Sequence, residues 1–210
     1  MTPLTTISGA AIPLMASNVN TDVIIRIERL SLLKRDALGP YAFEAWRNRP
    51  DGTPDPDFIL NQPEWQNAPI LLAGTNFGCG SSREGAVWAL NCLGIRAVIA
   101  PSFGAIFASN CYQNGTLPIT LPAQTVEEFA AIARAQPDAP FTIDLNRMVV
   151  VPPNGTPVAF EIDELRRQSL LTGLDDIGLT TQRLSEIAAF QASDRQRRPW
   201  VHEITDGEAP

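Results

Sequence analysis

The chain has one histidine in 210 residues, His202, and it stands in the polar C-terminal stretch. That scarcity removes the commonest catalytic pairs. A Ser–His or Cys–His system needs an imidazole within hydrogen-bond reach of the nucleophile, and histidine-built zinc sites need several imidazoles. Cysteine is nearly as scarce: Cys79, Cys92 and Cys111 contain no Cys-x-x-Cys pair. An odd count argues against a disulfide framework, and the spacings match no iron–sulfur ligand run. Positive charge is also short, with 16 Lys and Arg against 23 Asp and Glu and a net charge of −7. A nucleic-acid partner is not expected, because neutralising phosphates takes clustered cations. The one basic run, Arg195-Gln196-Arg197-Arg198, lies beside acidic residues and reads as solvated. No apolar run approaches the roughly 20 residues of a membrane-spanning helix, and the N-terminus has neither the basic start nor the apolar core of a signal peptide. No membrane association and a cytoplasmic location are therefore expected.

What is present suits one α/β domain. A 44% hydrophobic content over 210 residues is enough for a substantial core. Residues 1 to 14 read as a strand-bearing lead-in broken by Pro3 and Pro13, and Val23-Ile24-Ile25 reads as a short buried strand. A helix is expected over Tyr41–Trp46, followed by an irregular surface loop from Pro50 to Pro63. Strands at 70–73, 97–100 and 117–120 then alternate with helices at 82–93, 103–113 and 126–135, and Thr125 with Glu128 has the spacing of a capping box for the last. That alternation predicts βαβ units and at least partly parallel strands. Phe141–Leu145 and Met148–Val151 form a hairpin pattern, with Val158–Ile162 beyond it and helices at about 164–172 and 181–191. The expected organisation is one domain over residues 1–193 and a polar, loosely held tail over 194–210.

The richest stretch is Gly74-Thr-Asn-Phe-Gly-Cys-Gly-Ser-Ser-Arg-Glu84, a glycine-rich loop between a strand and a helix start. Ser81 and Glu84 have capping-box spacing, which predicts a helix beginning at about 82. Free backbone N–H groups, the positive end of a helix dipole, two hydroxyls and Arg83 would converge there as a carboxylate or phosphate site. Plain helix capping explains the same residues, and both readings stand open. The loop has no Gly-Lys-Ser/Thr ending of a phosphate-binding loop. The next strand, Ala97-Val-Ile-Ala-Pro101, has no terminal acid of the kind a dinucleotide fold uses. Cys92 and Cys111 read as small buried residues on helices. Cys79 differs because it lies inside the glycine loop.

This loop resembles the active-site loop of the swivel domain of the aconitase superfamily, and more narrowly that of the 3-isopropylmalate dehydratase small-subunit family. Asn18-Val-Asn-Thr-Asp22, Asp57–Pro63, Ala100–Phe103, Asn114-Gly115 with Leu117-Pro-Ile119, and Leu171–Thr180 resemble further family segments in the same order. Two positions depart from the family's habit: Gly85 stands where histidine is usual, and Arg26 where proline is usual. The resemblance implies an α/β fold, a single aconitase-like swivel domain (β/β/α) with a partly parallel sheet flanked by helices. It implies a hydro-lyase that moves a hydroxyl between neighbouring carbons of a small dicarboxylate in leucine biosynthesis. It assigns proton abstraction to Ser81, and substrate contact to Gly80, Ser82 and Arg83 and, at the rim, to Cys79. Thr21 and Asp22 border the same cleft in this reading, although ordinary turn chemistry accounts for them equally well. Arg26 would reach the substrate's variable side, or else point to solvent beside Glu28. No metal and no cofactor are expected on this chain; a [4Fe-4S] cluster is expected in a large partner subunit. The two departures leave open a paralogue acting on a methyl- or dimethylmalate, and a catalytically silent partner of the large subunit.

Overall fold

Ile70, Leu71, Leu72 and Ala73 are all fully buried, although alternate side chains of a strand point to opposite faces. Such a strand must be covered on both sides, and that is the position of parallel strands at the centre of an α/β layer. The computed structural model describes residues 1–202. Its strands are β1 (Thr6–Gly9), β2 (Ala11–Leu14), β3 (Ile70–Ala73), β4 (Ala97–Ala100), β5 (Leu117–Thr120), β6 (Phe141–Asp144), β7 (Val149–Val151) and β8 (Val158–Ala159). The helices are α1 (Thr21–Ile24), α2 (Ile27–Leu32), α3 (Glu44–Arg47), α4 (Glu84–Cys92), α5 (Ala105–Gln113), α6 (Ala123–Ala135), α7 (Glu164–Thr172), α8 (Asp176–Thr181), α9 (Leu184–Arg197) and α10 (Pro199–His202).

Two sheets divide the strands. One is wholly parallel in the order β2-β3-β4-β5, with α4 and α5 as the crossovers between neighbours and α6 packed across β2, β3 and β4. Prolines 13 and 118 fall in its two edge strands, where a missing N–H costs least. The other sheet is antiparallel, β1-β6-β7-β8, and Ala10 alone separates β1 from β2 as the chain passes from one sheet to the other. The mixed α/β class and the parallel component follow the expectation. By packing, the chain forms two compact units, Met1–Gly173 and a second from Leu174 onward. The first carries both sheets and is closed by the terminal amine of Met1, which donates to the carbonyl of Gly173 at 2.8 Å.

Several local expectations are corrected. Val23–Ile25 is not a strand: the Asn20 side chain accepts from the Val23 N–H at 2.8 Å and starts the helical turn α1. A short apolar triplet cannot tell strand from helix by period alone, and the cap decides it. The helix expected over 41–46 is split, because Phe43 takes a left-handed φ of 56° and only Glu44–Arg47 is α-helical. That turn sends Phe43 into the core beside Trp46 and Phe58, with ring centroids 6.2 and 6.4 Å away. The Thr125–Glu128 box is absent, since α6 begins three residues earlier after Pro122 and Glu128 instead accepts from Gln124. In the second unit, α9 runs past 193 to Arg197 and α10 follows, so the polar stretch is helical as far as His202; residues 203–210 lie outside the described residues.

The join between α9 and α10 depends on Asp194. Its Oδ1 accepts from Arg198 Nε at 2.7 Å, and its Oδ2 lies 3.0 Å from His202 Nε2. The Arg198 hydrogen bond first, and then that of His202, hold this carboxyl below its usual range. A depressed folded-state pKa stabilises above the unfolded value and is lost as pH falls through the folded one. Amide exchange at Arg198, whose N–H donates to the Asp194 carbonyl at 2.7 Å, should therefore quicken as pH drops below the carboxylate range, after correction for intrinsic exchange. Asp194→Asn should show the fast exchange already at neutral pH.

Candidate functional site

The segment that leaves β3 is held between two others at the carboxyl end of the parallel sheet. On one side, Asn18 N–H donates to the Thr75 carbonyl at 2.8 Å, and the Asn76 side chain donates to Asn18 Oδ1 at 2.9 Å. Gly78 and Cys79 N–H both donate to the Val19 carbonyl, at 2.7 and 3.2 Å, and Thr21 N–H donates to the Cys79 carbonyl at 3.0 Å. On the other side, Asn76 N–H donates to Ser102 Oγ at 2.9 Å, Phe77 N–H to the Ser102 carbonyl at 3.0 Å, and Gly104 N–H to the Phe77 carbonyl at 2.9 Å. Asn76, Gly78 and Gly80 take φ values of 60°, 71° and 88°, the left-handed region where asparagine and glycine are the tolerated residues. Space is limiting as well. A Cβ on Gly78 would lie 2.1 Å from Phe107 Cγ, and one on Gly104 would lie 2.4 Å from the Gly78 carbonyl oxygen.

This clamp sets out most of the residues singled out from the sequence. Ser81 and Ser82 are exposed, and their hydroxyls make no hydrogen bond to the described residues. The Ser81 carbonyl accepts from Thr21 Oγ1 at 2.8 Å, and Thr21 itself is buried. Arg83 Nη1 donates to Asp22 Oδ1, and its side chain is 16% exposed. The guanidinium makes no other hydrogen bond among the described residues. Gly80 is exposed and Cys79 half-buried, on the backbone that joins the serines to Asn20 and Thr21. Thr21, Asp22, Cys79, Gly80, Ser81, Ser82 and Arg83 thus form one patch. Arg26 is exposed at the residue before α2, with its Nε 3.6 Å from Glu28 Oε2.

Ser81 and Glu84 do not form a capping box. The helix α4 begins at Glu84 with Arg83 as its extended N-cap, so Ser81 lies two residues before the cap and outside the helix. Glu84 is taken up elsewhere, because its Oε1 accepts from Asn114 Nδ2 at 2.8 Å. The sequence placed Asn114 at a helix end before a glycine and in a family-like segment but gave its side chain no role, and that side chain proves to be a hub. Its Oδ1 accepts from Arg35 Nη2 at 2.9 Å and from Trp88 Nε1 at 3.0 Å, and its carbonyl accepts from the Asn91 side chain. It ties the start of α4 to the end of α5. The cysteines divide differently from expectation. Cys111 is buried, and burial pushes its thiol well above the usual range, so it serves as packing. Cys92 is exposed at the last turn of α4, where its Sγ lies 3.0 Å from the Arg35 carbonyl, because that turn faces the chain at 35 rather than the core. No group of three or more His, Cys, Asp and Glu converges as a metal site, and no helix is long and apolar enough to cross a membrane, among the described residues.

A parallel sheet carrying a serine–arginine loop on the end of an inner strand is the architecture of an aconitase-type swivel domain, and residues 1–124 match the family described as the aconitase C-terminal domain. Residues 176–203 match the C-terminal domain of the 3-isopropylmalate dehydratase small subunit. The 3-isopropylmalate dehydratase small subunit of Paramagnetospirillum magneticum is 49% identical over 96% of this chain and all of its own length. That of Cupriavidus necator is 49% identical over 96% of this chain and 99% of its own. The crystal structure of the 3-isopropylmalate dehydratase LeuD protein from Methanocaldococcus jannaschii superposes with a TM-score of 0.63 at 29% identity, covering 88% of this chain and 99% of that one. The chain belongs to the 3-isopropylmalate dehydratase small-subunit family, and being a small subunit it implies a large one.

The loop's shape makes one stability prediction. Gly78→Ala combines a positive φ with a Cβ placed inside the Phe107 ring contact, and overpacking a core typically costs about 1–3 kcal/mol before backbone strain is added. Urea unfolding should show a loss of at least about 2 kcal/mol, while Gly155→Ala, at φ 82° with open space around it, should cost about half that or less.

Proposed function

We propose that this chain supplies the proton-abstracting and substrate-clamping side of a heteromeric dehydratase that interconverts 2-isopropylmalate and 3-isopropylmalate in leucine biosynthesis, in the cytoplasm. The observation that carries the reading is the pairing of Arg83 with Asp22 beside an unengaged Ser81 hydroxyl. A C–H next to a carboxylate is a weak acid, so its removal needs both a strong base and donors that meet the charge building on the carboxylate. Arg83 is suited to the second task. Its planar fork offers five N–H donors, Asp22 orients it through one of them, and the rest suit a bidentate hold on a substrate carboxylate.

Ser81 is the base in this reading. A free hydroxyl titrates far above neutral pH, so its alkoxide must be stabilised, and the Arg83 charge with the N-terminal end of α4 supports that. Pinning of the Ser81 carbonyl by Thr21 keeps the backbone from carrying the hydroxyl away. Ser82, Gly80 and Cys79 give the loop its close approach to substrate, and Arg26 lends a polar rim on the variable side, with its charge spread by Glu28. Among the described residues no group of His, Cys, Asp and Glu could hold a metal ion, and an iron–sulfur cluster carried by the large subunit would supply the Lewis acid for the departing hydroxyl.

Ser81→Ala should change stability by no more than about 0.5 kcal/mol, as an exposed residue that caps nothing, and should leave subunit association intact. Turnover by the assembled enzyme should nevertheless fall by several orders of magnitude. Arg83→Lys should raise KM sharply, because an ammonium cannot reproduce the planar fork. Retention of a large fraction of wild-type turnover by Ser81→Ala would move proton abstraction to another group. The isolated chain should remain colourless and inactive after iron–sulfur reconstitution; a stoichiometric brown chromophore would refute the division of labour between subunits.

A further inference from the structure

Glycine inside a helix is less stable than alanine, so Gly85, at the second position of the nine-residue α4, needs a reason. Its backbone is helical and any residue could adopt it. Space supplies the reason. A Cβ at 85 would lie 2.3 Å from Leu30 Cδ2, 2.8 Å from Cδ1 and 3.1 Å from Cγ. The missing side chain is a seat, and Leu30 of α2 fills it.

Residues 20–33 form a strap laid over the start of α4, fixed at several points. At its beginning, Thr21 and Asp22 hold Cys79, Ser81 and Arg83. In the middle, the Ile24 carbonyl accepts from Phe43 N–H at 2.9 Å. Beside the seat, Arg29 donates to both carboxylate oxygens of Glu44, at 2.8 and 2.6 Å, and its guanidinium carbon stands 4.2 Å from the Tyr41 ring centroid. Through Leu30 the strap's second helix bears directly on the helix whose N-cap position is Arg83.

We infer that Gly85 and Leu30 are positioning residues for the substrate clamp. The seated leucine holds the strap down so that Asp22 keeps the Arg83 fork aimed for a substrate carboxylate. This rests on the dehydratase reading above. A histidine side chain at this position would expel Leu30. Because Leu30 is only half-buried, it can swing outward without unfolding the domain. Leu30→Ala reaches the same end by emptying the seat.

The test is a double-mutant cycle in the enzyme assembled with its large subunit: wild type, Gly85→His, Leu30→Ala and the pair. Each single change should raise KM for 2-isopropylmalate roughly tenfold while kcat stays within about twofold. The double variant should be no worse than the weaker single, since either change already vacates the seat. In the isolated chain, the Leu33 amide, which donates to the Arg29 carbonyl at 3.0 Å, should exchange faster in both singles. If Gly85→His fails to accumulate folded, Gly85→Ala gives the same cycle at smaller amplitude. An unchanged KM, additive losses in the pair, or a fall in kcat alone overturns the inference. Wild-type turnover of 2-isopropylmalate separates the two readings. Without it the dehydratase assignment falls and the positioning role with it, whereas turnover with an unaltered KM in Gly85→His sinks the positioning role alone.

Discussion

The backbone of residues 76–80 alternates into the left-handed region at Asn76, Gly78 and Gly80, and a chain folded that way has no ladder of its own in which to spend its amides. Its amides and carbonyls have to be met by neighbours. Residues 18–21 meet one edge and residues 102–104 meet the other, and both segments sit where they do because β2 and β4 flank β3 in the parallel sheet. Everything at the candidate site hangs from this arrangement. Ser81 is carried on a loop whose hinges are closed, and Arg83 enters α4 from a fixed direction. The sheet positions the candidate site without contributing a side chain to it, which is the usual division between scaffold and loop at the carboxyl ends of parallel strands.

Electrostatics then completes what the backbone begins. Arg83 lies mostly enclosed with Asp22 as its partner, so the fork is oriented before any ligand arrives. Under the proposed function, preorganisation of this kind lowers the entropy that substrate binding must otherwise overcome. It also limits what this chain can do alone. One histidine, three scattered cysteines and no convergent metal group among the described residues leave, in the proposed reading, a clamp and a hydroxyl as this chain's share of the site. Belonging to a small-subunit family, the chain implies a large subunit as its partner.

The start of α4 shows how a local signal can be right about place and wrong about partners. Ser81 and Glu84 have the spacing of reciprocal capping, and a helix does begin there. Yet Glu84 is drawn thirty positions away to Asn114, and Arg83 takes the N-cap position with no side-chain cap bond at all. Capping is worth about 1 kcal/mol. The Asn114 side chain gathers Glu84, Trp88 and Arg35 instead, and the Trp88 N–H, part-buried among them, is the group for which a missing partner would cost most. Val23–Ile25 shows the same thing from the opposite side: an apolar triplet reads as a strand until the Asn20 cap decides for a helix.

By itself the sequence determined the parallel βαβ core, the glycine loop with its serines and arginine, and the family to which these belong. Those features are written in local period and spacing: four-residue apolar runs, helical repeats between them, and glycines where the chain must turn left-handed. The tertiary structure alone decided that Asp22 pairs with Arg83 across 61 residues, that Glu84 answers Asn114, and that Leu30 rests where Gly85 has no side chain. These contacts follow from the order of strands in a sheet. Nothing in the residues near Asp22 says which strand will lie beside its own, so the partner of a charge, or the filler of a gap, becomes visible only when the sheet has closed.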